Sequence, residues 1–120
     1  MSNGNLTISV DSHENFWARA RAAAQALDRG ELTEPVAHFS YENLETLMSI
    51  LTPKRWALMR ILRQRGPSSV RSLAGALGRD YKAVHGDVAA LVEHGLIERQ
   101  AKDRIAMLWD VVHADLKLAA

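Results

Sequence analysis

The chain has 120 residues, 48% of them apolar and 24% charged, with a net charge of +1. That is enough for one domain with a modest core. No apolar run reaches the roughly 18 residues of a membrane helix, and the absence of cysteine excludes disulfide and thiolate chemistry. The opening MSNGNLTISVDSHEN has neither a basic stretch nor an apolar one, so a secretory leader is not expected. The net charge hides a division. Residues 1–52 hold three Arg against seven acids (−4), residues 53–104 eleven Lys and Arg against five acids (+6), and residues 105–120 one Lys against two Asp (−1).

In chain order, Leu6-Thr7-Ile8-Ser9-Val10 alternates apolar and polar, the period of a half-buried strand. Asp11 with Glu14 three residues on forms a capping-box variant. The helix it opens is expected to reach Leu27 or Asp28, with Phe16, Ala20, Ala23, Ala24 and Leu27 on one face and Trp17 beside them. A face made mostly of alanine buries little area, so residues 1–39 read as a strand-helix arm for dimerisation or partner contact. The stretch DRGELTEP, Asp28 to Pro35, is a polar connector. Val36 to Phe39 reads as a short strand, and Ser40 as the cap of a helix carrying Leu44, Leu47, Met48 and Leu51.

Thr52-Pro53 is a strong helix start, with threonine as cap and proline in the first turn. Trp56, Leu58, Met59 and Leu62 supply the apolar side of that helix, and Gly66-Pro67 ends it. Ser68 to Val70 fits a short strand. Arg71 to Leu77 predicts a helix with Leu73, Ala74 and Leu77 on one face. Gly78 stops it, and Asp80 caps a second helix from Tyr81 to about His94. Val84, Val88, Leu91 and Val92 form the stripe of that helix, and Gly95 ends it. Ile97 to Ala101 and Ile105 to Val111 read as extended runs joined at Lys102-Asp103-Arg104, a hairpin tip that lacks glycine. Val111 to Leu118 has a partial period of two, fitting a strand that pairs with Leu6–Val10 of the same or another subunit.

Two helices joined by a tight turn form a helix-turn-helix pattern. The run GRDYKAVHGDVAALVEHGLIER resembles the turn, recognition helix and lead into the wing of winged helix-turn-helix transcriptional regulators of the broad MarR-like class. The resemblance implies a mainly α fold with a small β-wing (α+β), the winged domain spanning residues 40–120. It also implies a cytoplasmic, sequence-specific regulator of double-stranded DNA, a repressor working as a homodimer.

The excess of basic residues falls on the same stretch, as expected of a phosphate-facing surface. Arg79, Tyr81, Lys82 and His85 lie near the start of the recognition helix, where donors reach base edges or phosphates. Ser69, Arg71 and Ser72 suit phosphate contacts at the preceding helix, Lys54 and Arg55 at the first, and Lys102 and Arg104 at the wing. Asp80 is expected to cap, and Arg79 has Asp80 and Asp87 as competing partners. Gly86 departs from the basic or polar residue the resemblance implies at its place.

Two other roles fit. One is an antitoxin that represses its own operon while its acidic half covers a basic toxin protein. The other is a winged domain that binds protein alone. No enzyme, cofactor or metal site is expected. The five histidines are scattered, and no glycine-rich phosphate loop or metal-ligand spacing is present.

Overall fold

The computed structural model describes residues 4–10, 13–30 and 37–118, with backbone alone at 13–16 and 19. The Asp11–Glu14 cap, the Phe16 side chain, residues 31–35 of the connector and Val36 lie outside the described residues. The fold is α+β. The chain divides into a helical unit, Met1–Gly4 with Met48–Asp110, and a sheet unit, Asn5–Leu47 with Val111–Ala120.

The sheet unit differs from the expected arm. Its strands are β1 (Asn5–Val10), β2 (Ala37–Tyr41) and β6 (Val111–Asp115), in the order β2-β1-β6 with both pairings parallel. Leu6 stands opposite Ala37 on one side and Val112 on the other. The ladder is extended by Asp110 N–H donating to Gly4 O at 2.8 Å. The helix α1 (His13–Asp28) is therefore the crossover that parallel strands require, not part of a free arm. The C-terminal strand belongs with β1 of its own chain rather than with the residues that precede it, and the division falls at 47/48 instead of 39/40.

In β1, the central strand, Leu6 and Ile8 are fully buried, and so is Ser9. The Ser9 hydroxyl is satisfied by the His38 ring, Oγ to Nε2 at 2.7 Å. Ser40 lies in β2 and does not cap the next helix, α2 (Leu44–Ile50). Asn43 takes that role, its Oδ1 accepting from Thr46 N at 2.8 Å. Consequently Leu47 and Ile50 are the buried pair, whereas Leu44 and Met48 are exposed.

In the helical unit each local signal closes an element. In α3 (Pro53–Arg65), Thr52 Oγ1 accepts from Arg55 N at 3.2 Å, and Gly66 ends the helix at φ 83°. Next come β3 (Ser68–Ser69) and α4 (Val70–Leu77), whose cap is the Ser69 hydroxyl. Gly78 then adopts the left-handed conformation (φ 64°). Its N–H and that of Arg79 donate to Gly75 O and Ala74 O, the Schellman arrangement that satisfies a helix end.

Asp80 caps α5 (Tyr81–Glu93), its carboxylate accepting from Ala83 N. A second Schellman pair closes that helix at Gly95 and Leu96. The antiparallel strands β4 (Glu98–Gln100) and β5 (Arg104–Ala106) form a hairpin, and β3 pairs with the other edge of β5. Lys102 and Asp103 turn its tip at φ 63° and 57°, left-handed values that residues other than glycine supply here. Leu58, Met59 and Leu62 of α3, Leu73 and Ala74 of α4, and Val84, Val88 and Leu91 of α5 are buried, with Leu96, Ile97 and Ile105.

Candidate nucleic-acid interface

The apolar stripe of α5 fixes which of its side chains face outward. With Val84, Val88 and Leu91 buried, Lys82, His85 and Gly86 fall on the exposed side, and Tyr81 is 40% exposed. The Arg71 guanidinium of α4 lies over the Tyr81 ring at 4.8 Å from its centroid, a cation–π contact. The His85 ring is 5.8 Å from Tyr81 and tilted by 44°. Three of the expected site residues, Arg71, Tyr81 and His85, are thus one cluster spanning two helices. Lys82 is exposed on the same helix, one residue from Tyr81. At Gly86 an added Cβ would meet no atom within 4 Å, so nothing in the chain itself requires glycine there. Lys102 and Arg104 are exposed at and beside the hairpin tip.

Other expected contacts are engaged inside the unit. Arg79 is half-buried and donates through Nη2 to Asp87 Oδ2 at 2.7 Å. Its Nη1 is buried with no hydrogen-bond partner among the described residues. Arg55 donates through Nε to Asp87 Oδ1 at 3.0 Å and through Nη1 to Ser49 O and Ile50 O. Neither arginine stands on an open face as expected; both are held by one carboxylate. Partial burial would raise the Asp87 pKa, but the hydrogen bonds and charges of Arg79 and Arg55 outweigh it and hold the carboxyl below its ordinary 3.8. Ser69 is occupied as a helix cap, and the Ser72 hydroxyl accepts from Arg65 Nη2 at 3.1 Å.

The residue sequence reasoning missed is Asp87 as a hub. It joins the start of α3, the turn before α5 and α5 itself. Its pairing with Arg79 was open in the sequence, but Arg55 is 32 residues away and carries no local signal.

Residues 50–114 match the family model HVO_A0114. The chain belongs to the HVO_A0114 family. The match takes in α3, α4, α5 and the hairpin and continues into β6, so the HVO_A0114 portion contains every candidate interface residue named above. No curated protein and no solved structure matches the chain. Among the described residues, no three His, Asp or Glu side chains gather as metal ligands, and no helix is long and apolar enough to cross a membrane.

Proposed function

We propose that this protein is a transcriptional regulator that binds double-stranded DNA sequence-specifically and acts as a repressor, with the helical unit working as a winged helix-turn-helix. The observation that carries the reading is the outward side of α5. Lys82 and His85 stand exposed at its N-terminal half beside the Arg71–Tyr81 stack. The unit that bears them holds eleven Lys and Arg against six acids, a net charge of +5. In such motifs the N-terminal end of the second helix enters the major groove. There Lys82 donates to guanine edges, and His85 to either base edges or phosphate. Arg71, already ordered by Tyr81, has less side-chain freedom to lose when it meets a phosphate. Lys102 and Arg104 would rest on the sugar-phosphate backbone, fixing position rather than sequence.

Selection from random duplexes at two salt concentrations tests this. The expected product is an inverted repeat with half-sites about ten base pairs apart, bound more weakly as salt rises because phosphate contacts release counterions. Lys82→Ala and His85→Ala should cost on the order of 1–3 kcal/mol on the preferred site and less on random DNA. Lys102→Ala should weaken both about equally. Equal losses for all three would remove α5 as the reader. Absent or salt-independent binding would replace DNA with a protein as the partner.

A further inference from the structure

Asp87 is the acid nearest to Lys82 and His85 on α5, yet its carboxylate is turned into the helical unit, with the side chain 17% exposed. Its two oxygens are divided between two guanidiniums. Oδ1 accepts from Arg55 Nε at 3.0 Å and Oδ2 from Arg79 Nη2 at 2.7 Å. Arg55 has a second tie, through Nη1 to the carbonyls of Ser49 and Ile50. Arg79 has none: its Nη1 is buried with no hydrogen-bond partner among the described residues. The Arg79 side chain is therefore held inward by one carboxylate, against the cost of burying a guanidinium nitrogen unsatisfied.

We propose that Asp87 sets the sequence specificity of the DNA-binding unit without touching DNA, by withholding Arg79 from phosphate and fixing the turn before α5. The inference rests on the DNA-binding reading above. Phosphate contacts strengthen binding to every duplex alike, whereas base contacts distinguish one duplex from another. Arg79 stands two residues before Tyr81 and three before Lys82. Released there, its guanidinium would add a sequence-independent contact beside the side chains that read bases. Held on Asp87, it braces the turn against α5 instead, and Arg55 ties the same carboxylate to the start of α3. Lys82 and His85 are thus presented from a fixed turn, and the competing cation is kept off the backbone.

Equilibrium binding of the full chain to its selected site and to random duplexes, over a range of salt, is the test. Asp87→Asn keeps the shape of the side chain and removes its charge. Affinity for random duplexes should rise about threefold, and its salt slope steepen by about one, as Arg79 reaches a phosphate. Affinity for the selected site should fall, so that the ratio of the two drops roughly tenfold. Adding Arg79→Gln to Asp87→Asn should cancel the gain on random DNA, and Asp87→Glu should retain most of the wild-type ratio. Arg79→Gln alone should leave the salt slope unchanged, since the wild-type arginine meets no phosphate; it decides the matter if circular dichroism shows Asp87→Asn to be unfolded. Parallel losses on both DNAs in folded Asp87→Asn, the mark of a purely structural role, would overturn the proposal and leave DNA binding standing. So would a slope flattened by about one in Arg79→Gln. A wild type with no preferred site would overturn both readings.

Discussion

In the helical unit, α3, α4 and α5 are each closed by residues next to them in sequence: Thr52 and Gly66, Ser69 and Gly78, Asp80 and Gly95. In the sheet unit, β1 is held by strands at residues 37–41 and 111–115, both distant from it in sequence. The first unit nucleates locally and then packs its three helices on one another. The second must close long loops before any pairing rewards it. The contrast extends to burial. Each helix from α3 to α5 has two or three fully or nearly buried apolar residues, whereas α1 has none among its described side chains.

Paired truncations test that contrast most sharply. Leu91→Ala should cost about 2–5 kcal/mol in chemical denaturation, the usual penalty for emptying a buried leucine site. Leu27→Ala, at a site 68% exposed, should cost well under about 1 kcal/mol in dilute monomer. Similar losses at the two positions would mean that α1 is covered within its own chain.

Smaller, and confined to the helical unit, is the effect of Asp87. Asp87→Ala leaves Arg55 and Arg79 without their shared carboxylate and should cost about 1–3 kcal/mol. The wild type should also show a pH signature. Because the folded-state pKa of Asp87 lies below 3.8, its contribution is fully present above that value and is lost as the pH falls through the lowered one. Asp87→Asn should flatten this acid limb of a stability–pH profile. An unchanged acid limb would mean that the two arginines are held by other means.

Smallest is a gain. Gly86→Ala should add about 1 kcal/mol of stability, since it improves helix propensity with no atom in the way. A loss of DNA affinity in that stabilised variant would indicate that a duplex approaches the α5 backbone at this point.

The same contrast explains what the sequence made legible. Thr52-Pro53, Gly78, Asp80 and Gly95 act on their immediate neighbours, so the borders of α3, α4 and α5 follow from short-range chemistry. The alternation in Leu6–Val10 identified a strand, but its apolar-polar pattern pointed to one buried face. Ser9, on the other face, is buried as well, with His38 as its partner. Ser40 resembles a cap in sequence, yet it pairs opposite Ser9 in a ladder, and Asn43 caps instead. At the candidate interface, Lys82 and His85 were readable because a period of 3.6 assigns the outward face of α5. Arg55 and Arg79 were not, because their common partner Asp87 is reached only when α3 and α5 are packed.

The strand order β2-β1-β6 also has a consequence for synthesis. Residues 48–110 lie between β2 and β6, so the helical segment is synthesised before Val111–Asp115. During that interval β1 has one open edge, with Leu6 and Ile8 flanked on a single side. The helical unit closes its elements through neighbours in sequence and needs no strand from the sheet unit to do so. Contact range thus favours an order of events, with the inserted segment closing on itself and the surrounding sheet sealed by β6 afterwards.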